Sequence, residues 1–540
     1  MRRGRRFFAF VAALVGLCLA ARAWGGTYYV APGGSDAAAG TLAQPFASIA
    51  RAQQAASSGD TVYIRGGTYT NFTVAATDAN YQYVVSITKN NINYLAYPGD
   101  PRPVLDFSNI SPSSLRVCGI QVTGSNNTFQ GIDLTGIQAG TQKQCENWRI
   151  LGSGNTLRQI VNRDDQANGV YIISHAANNL IENCDSYHLV GVQSISAGNT
   201  DGFGCHSAGS GNVFRGDRSW GNSDDGYDCI NNSGGSVTFD HCWAYDNGRL
   251  GGDSNGFKIG GFGNTGGSFP NPPPVHTVEF CLSADNGANG FYANHQPGQA
   301  ADWYNNTAYN NRGANFNMLE AIDTSPANSS VPGTREVLHN NLAYVGTGIS
   351  NISESGSMVA NNWFTLPVTV SAADFESLDA SQMTLPRKAD GSLPDIAFMH
   401  LAVGSDLVDV GLDVGLPYSG AAPDLGAFEV TPLAGDFSGD RMVTAADISA
   451  MMNALADLKA FQSSRSLTAD DMQKLGDLNG DGQVTNADLQ GLITLLANGG
   501  GSGSLTAVPE PTSSVLMALA GVIILSAVRL GARGLRHEVH

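Results

Sequence analysis

The tightest constraint in this sequence is a pattern that returns. Asx-Gly followed by an apolar residue occurs as Asn168-Gly169-Val170, Asp201-Gly202-Phe203, Asp225-Gly226-Tyr227, Asn255-Gly256-Phe257 and Asn289-Gly290-Phe291. Between these marks runs a second pattern, apolar-x-x-Asn/Cys-x-apolar, as in LIENCDS from Leu180, VTFDHCWA from Val237, VEFCLSA from Val278, WYNNTAY from Trp303 and VLHNNLAY from Val337. Short β-branched and aromatic runs bounded by Asn, Asp and Gly, with no helical period, predict strands and turns. A shortest unit of about two dozen residues, lengthened by loop insertions, predicts the coils of a parallel β-helix solenoid. One coil cannot bury its apolar face alone, so Val170, Phe203, Tyr227, Phe257 and Phe291 are expected to stack as an inward ladder. Cys184, Cys242 and Cys281 are expected to form a buried stack, and the paired asparagines Asn305-Asn306, Asn340-Asn341 and Asn361-Asn362 to form turn ladders.

Such a ladder works as a ruler. Stacked strands lie about 4.8 Å apart, so aligning the Asx-Gly marks places Asp201 beside Asp225 and Asp228 beside Lys258. Side chains alternate along a strand, so the residue after each inward aromatic points outward, and that row reads Tyr171, Gly204, Asp228, Lys258, Tyr292. Asp201, Asp224, Asp225 and Asp228 then converge with Lys258 on one external face. Clustered carboxylates are costly at neutral pH unless protonated or neutralised by a cation. Oxygen donors without a Cys or His requirement favour Ca²⁺. On spacing alone, a turn with a surface Asp228–Lys258 ion pair, worth at most about 1 kcal/mol, accounts for the pattern equally well. Arg215 and Arg218 lie on the coil between the aspartate positions and are candidates for gripping substrate carboxylates. The histidines of the repeat are isolated and read as structural.

Composition narrows the partners. With 540 residues and a formal net charge of -18, the chain lacks the basic surface that nucleic acid demands. An acidic polysaccharide stays open, because a bound cation reverses the local sign of a site. Of eight cysteines, Cys18 falls in the leader region, and the odd remainder is no disulfide framework. Cys118 with Cys145 is the one candidate pair.

The wording of the motifs goes further. NTDGF from Asn199, GNVFRG from Gly211, SDDGYD from Ser223 and NGFKIGG from Asn255 resemble, in order, the core of family-nine polysaccharide lyases, which include Ca²⁺-dependent pectate lyases on a right-handed parallel β-helix. The opening from Thr27 to Thr70 resembles the start of many secreted β-helix proteins, with a capping helix over Ser48 to Ala56, and Gly415 to Val430 resembles their closing segment. The resemblance implies calcium ligands at Asp201, Asp224, Asp225 and Asp228, and a proton-abstracting base at Lys258. It implies β-elimination in polygalacturonate or a related uronate polymer. The alternatives are another uronate polymer, such as alginate or a glycosaminoglycan, and a non-catalytic surface β-helix that binds glycans. Tyr227 stands where the family commonly has tryptophan, and a long Gly/Pro loop from Gly260 to Pro274 departs from its pattern.

After Val430 the texture changes to two twelve-residue loops, each followed by an apolar helical run. Positions 1, 3, 5, 9 and 12 offer oxygens and position 7 its carbonyl: Asp436, Ser438, Asp440, Met442, Thr444 and Asp447 in the first loop, and Asp477, Asn479, Asp481, Gln483, Thr485 and Asp488 in the second. The pair resembles a type I dockerin, which implies a cohesin-like partner. Arg441 replaces the turn-easing glycine in the first copy.

The ends carry targeting patterns. Four arginines before an apolar run, then Ala21-Arg22-Ala23, make residues 1–23 resemble a secretory signal peptide. The expected domains are a β-helix over 24–430, a dockerin-like module over 431–497 and a Gly/Ser linker over 498–507. Val508-Pro509-Glu510-Pro511, an apolar stretch from Ser513 to Val528 and the arginines after it resemble a PEP-CTERM tail over 508–540. That implies a bacterial envelope destination and an exosortase-type processing enzyme; an ordinary C-terminal anchor is the alternative. About 20 apolar residues span a membrane, so the stretch is barely long enough.

Overall fold

The computed structural model of the chain describes residues 25–230, 234–248, 250–260, 274–294, 301–321, 330–402, 404–439, 442–465 and 467–498. The expected signal peptide, nearly all of the linker, the PEP-CTERM-like tail and most of the Gly/Pro loop lie outside the described residues. Among the described residues no helix is long and apolar enough to cross a membrane. These residues fall into two compact units, one running to Leu416 with Asp424–Glu429, the other formed by Pro417–Pro423 and the chain from Val430.

The first unit is a parallel β-helix. Three sheets of twelve, ten and eleven strands run along it, and each complete coil between its ends gives one strand to each sheet. A representative coil contributes Asn212–Arg215 to the first sheet, Arg218–Trp220 to the second and Tyr227–Asp228 to the third. The expected register holds: Val170 pairs with Phe203, Phe203 with Tyr227, Tyr227 with Phe257 and Phe257 with Phe291. All five are fully buried. The Tyr227 and Phe257 rings stack at 4.5 Å, and those of Phe257 and Phe291 at 5.0 Å, within the range for favourable offset stacking. Tyr227 keeps its polar end satisfied by donating its hydroxyl to the Asp217 carbonyl at 2.9 Å.

The Asn/Cys pattern marks one corner of the coil. Asn183, His241, Phe280, Asn305, Asn340 and Asn361 all have φ between 52° and 60°, a left-handed conformation that Asn tolerates better than most residues. The next residue turns inward and accepts from the coil before it. Cys242 N–H donates to Cys281 Sγ, Cys281 N–H to Asn306, Asn306 N–H to Asn341 and Asn341 N–H to Asn362. Backbone groups that the corner strips from the sheet are thereby paired.

Cys118 and Cys145 are both free and buried. They occupy adjacent coils but opposite faces: Cys118 packs outward with Tyr81 and Tyr83, whereas Cys145 joins the main core. Cβ atoms that diverge in this way cannot be bridged.

The amino-terminal end of the solenoid is closed. Helix Ile49–Ala55, capped by the Ser48 hydroxyl, buries Ile49, Ala52 and Gln53 over the amino-terminal coil. Toward the other end the closing segment packs along the flank of the last coils, where Gly426 N–H donates to Asn340 O and Ala427 N–H to Thr307 Oγ1.

One buried acid near that end ties stability to pH. Glu336 accepts from Trp303 Nε1 at 2.7 Å, and burial, opposed by that bond, pushes its pKa up to about 8. The folded state thus holds a proton that the unfolded chain releases near pH 4.3. The stabilisation is complete below that value and is lost as pH rises through about 8. Glu336→Gln keeps an acceptor for Trp303. It is expected to raise Tm by a few degrees above pH 8 and to leave it little changed at pH 5, by thermal unfolding.

The second unit is helical. Ala445–Ala456 and Asn486–Ala497 each follow one acidic loop, with Leu458–Ser464 and Ala469–Gly476 between them. Phe437, Val443, Met451, Ala454, Leu475 and Leu492 form its core.

Candidate active site

The Asx residues of the repeat are rungs of a ladder. Asp201 N–H donates to Asn168 Oδ1, Asp225 N–H to Asp201 Oδ1, Asn255 N–H to Asp225 Oδ1 and Asn289 N–H to Asn255 Oδ1. The ladder needs only one oxygen from each rung. Where the rung is Asn the second position is an amide; where it is Asp a second oxygen is left over. Asp225 Oδ2 is buried and takes no hydrogen bond; Lys258 Nζ lies 3.1 Å from it.

The outward row has the expected register, with Gly204 beside Asp228 and Asp228 beside Lys258. Lys258 Nζ lies 2.7 Å from Asp253 Oδ2 and 3.6 Å from Asp228 Oδ2. One carboxylate oxygen from each of Asp201, Asp225 and Asp228 lies within 4.8 Å of the others, and the same holds for Asp224, Asp225 and Asp253. The two trios share Asp225. Asp253, missed by the sequence reading, sits five residues before Lys258 in a loop, outside the repeat that served as ruler. A β-carbon at Gly204 would lie 3.0 Å from His206 Nε2 and 3.2 Å from the Tyr171 ring, so the missing side chain keeps the floor beside Asp228 open.

Burial, then the charges of Asp224, Asp228 and Asp225, holds the Asp201 carboxyl well above the usual carboxylate range. Burial and Asp225 push Asp224 up to about 8, and burial raises Asp225 to about 6 against the pull of Lys258. For Lys258 the largest influence, burial, favours the neutral amine, but Asp228, Asp225 and Asp253 together outweigh it and raise its pKa. A cluster that resists ionisation without a counter-charge, made of oxygen donors alone, with one oxygen left over at its centre, suits a hard divalent cation such as Ca²⁺.

His206 also belongs here rather than to the scaffold alone. Its ring packs on Tyr171 at 4.6 Å and lines the cleft that holds Asp201 and Asp228. Arg215 and Arg218 do not face this cleft. Arg215 lies on the first sheet, paired with Asp240 at 2.7 Å. Arg218 lies on the second, buried, with Nε and Nη2 on the Asp185 carboxylate and Nη1 on the Leu385 carbonyl. Being on the right coil did not put them on the right one of its three sides.

In the helical unit the loop acids are organised by the loops themselves. Asp477 accepts from Gly480, Asp481 and Gly482 N–H. Asp447 and Asp488 each close a capping box with Thr444 and Thr485. Ser438 donates to Asp436 and Asn479 to Asp481. Asp440 lies outside the described residues.

Fold and site together define the class: a parallel β-helix that displays a carboxylate cluster around a lysine on one long sheet. The chain belongs to the Pel9A-like right-handed β-helix family, whose profile matches residues 28–341. The dockerin type I profile matches residues 434–497. Pectate lyase L of Dickeya chrysanthemi is 32% identical over 414 residues, covering 74% of this chain and 90% of that protein. Pectate lyase PEL9 of Emericella nidulans is 28% identical over 412 residues, covering 70% and 93%. Among solved structures, a rhamnogalacturonan lyase superposes with a TM-score of 0.66 at 34% identity, covering 70% of this chain and 97% of its own. Pectate lyase Pel9A superposes at 0.58 and 28%, covering 75% and 96%.

Proposed function

We propose that this protein is an exported Ca²⁺-dependent lyase that cleaves polygalacturonate, or a closely related uronate polymer, by β-elimination with Lys258 as base. Family membership makes it a polysaccharide lyase of the pectate lyase type. The observation that carries the finer assignment is the amine of Lys258, held 2.7 to 3.6 Å from three carboxylates on the face that also offers Asp201. Asp201, Asp224, Asp225 and Asp228 are the residues that would hold the cation. When bound, Ca²⁺ supplies positive charge that offsets the negative charge developing on a uronate as its C5 proton leaves. Lys258 Nζ takes that proton, and the bond from C4 to the leaving oxygen breaks as the C4–C5 double bond forms. An amine acts as base only when neutral, so the carboxylates that hold Lys258 protonated must first have their charge committed elsewhere. Asp253 orients the amine from the solvent side.

The direct test is the absorbance of the unsaturated uronate product on polygalacturonate, with added calcium and with excess chelator. No product on any uronate polymer would remove the assignment. The likeness to a rhamnogalacturonan lyase favours a second substrate, so a panel of polygalacturonate, rhamnogalacturonan and alginate decides which polymer is cleaved.

The carboxy-terminal module is assigned to docking a cohesin-like protein, with calcium held by Asp436, Ser438, Asp440, Thr444, Asp447 and the Met442 carbonyl in one loop, and by Asp477, Asn479, Asp481, Thr485, Asp488 and the Gln483 carbonyl in the other. Calcium titrated into the full chain is expected to increase its helical circular dichroism signal. A flat titration would count against the module's assignment alone. Processing by an exosortase-type enzyme at the bacterial envelope rests on the tail sequence.

A further inference from the structure

The cleft holding Asp201 and Asp228 does not end at the cluster. About 570 Å³ in all, it extends toward the amino-terminal coils, where Tyr81, Arg116, Gln144, Arg149 and Tyr171 line it. The outward row explains this: Arg149 pairs with Tyr171, Tyr171 with Gly204 and Gly204 with Asp228. Arg149 therefore stands three strands from Asp228, about 14 Å along the sheet.

Two guanidinium groups meet there; Glu146 is the carboxylate in contact with Arg149, and Asp78, held by the Tyr83 hydroxyl, lies within electrostatic reach of it. Arg149 Nη1 bonds both oxygens of the buried Glu146, at 2.7 and 2.9 Å, while its Nε is buried with no hydrogen-bond partner. Arg116 Nη1 donates to two neutral acceptors, the Tyr81 hydroxyl at 3.1 Å and Gln144 Oε1 at 3.2 Å. Among the described residues no carboxylate lies within ion-pair distance of Arg116. Tyr81 sits between the two, its ring 4.3 Å from the Arg149 guanidinium carbon and 5.5 Å from that of Arg116. At one end of the cleft, then, a bound cation would balance a uronate carboxylate, and at the other Arg116 offers a guanidinium that no described carboxylate pairs.

Resting on the lyase assignment above, we propose that Arg116 and Arg149 form a second anionic subsite, which grips the free carboxylate of a uronate several sugars from the scissile bond. Guanidinium forks match carboxylates, and an Arg116 without an ion-pair partner discriminates against methyl-esterified or neutral sugars at this position. The enzyme would then favour extended, unesterified chains over short oligomers.

The test is the length dependence of KM. For Arg116→Gln, KM on polygalacturonate is expected to rise about tenfold, the usual effect of losing a charged hydrogen bond. The ratio of KM on a trimer to KM on the polymer should fall by the same factor. On a highly methyl-esterified chain the penalty of the substitution should vanish. Arg149→Gln is paired with Glu146→Gln, so that no buried charge is left alone, and should behave alike. An unchanged trimer-to-polymer ratio in both variants overturns the subsite. If the wild-type protein yields no unsaturated product, the lyase assignment fails instead. Affinity electrophoresis in polygalacturonate gels then decides the subsite by itself: loss of retardation in Arg116→Gln supports it, and equal retardation overturns it.

Discussion

Lys258→Ala is expected to lower kcat/KM on the cleaved polymer by at least about a thousandfold, with a KM close to that of the unaltered protein. General bases commonly contribute 10² to 10⁴, and no other described residue brings an amine to these carboxylates; the one imidazole nearby, His206, follows Asp201 two coils from Lys258 and packs against Tyr171 and the Ile230 carbonyl. Lys258→Arg should fail as well, because a guanidinium does not give up its proton in the working range. Lys258 also offsets Asp225 and Asp228, so its loss should destabilise the cation-free protein. Calcium should restore that stability without restoring activity. Unsaturated product formation read beside thermal unfolding, each with and without calcium, separates the two effects. Wild-type rates in Lys258→Ala would end its assignment as base.

Removing the cation is the second large effect. Excess chelator is expected to abolish product formation, and calcium to restore it. Asp225→Asn sharpens the test: its carbonyl oxygen still serves the Asn255 N–H, so the ladder survives, but the leftover oxygen becomes an amide. Activity should drop by roughly a hundredfold or more, the scale on which a lost charge-stabilising group is felt, with little change in Tm. The pH dependence has a definite sign. Asp224 and Asp225 are raised to about 8 and about 6, above the ordinary value near 3.9. Without the cation, their contribution to stability is complete below about pH 4 and is lost as pH rises through these values. Protons and calcium compete for the same oxygens, so the calcium concentration giving half activity should fall as pH rises from 5 to 8. A calcium requirement independent of pH, or full activity in chelator, would remove these aspartates from the role.

Much of the site is legible because a solenoid turns sequence spacing into spatial neighbourhood. Asp201, Asp225, Asp228 and Lys258 are located by counting from each Asx-Gly mark, since the ladder locks the register and a strand alternates its faces. Arg149 belongs to the same outward row, but its coil reads Glu146-Asn147-Trp148 where the later coils have Asx-Gly-apolar, so the count has no mark to start from. Asp253 escapes for a different reason. It lies in a loop between marks, and the way that loop folds back onto Lys258 is set by contacts such as Asp253 N–H to Asp224.

By itself the sequence determined the repeating coil, its inward aromatic stack, the shared face of four aspartates and one lysine, and the paired acidic loops of the helical unit, because these follow from period and alternation along the chain. Only the tertiary structure decided which of the three sides each remaining polar residue occupies. Arg218 serves Asp185 and the Leu385 carbonyl while Arg116 and Arg149 extend the cleft, because where a corner falls depends on loop length and packing that no local pattern encodes.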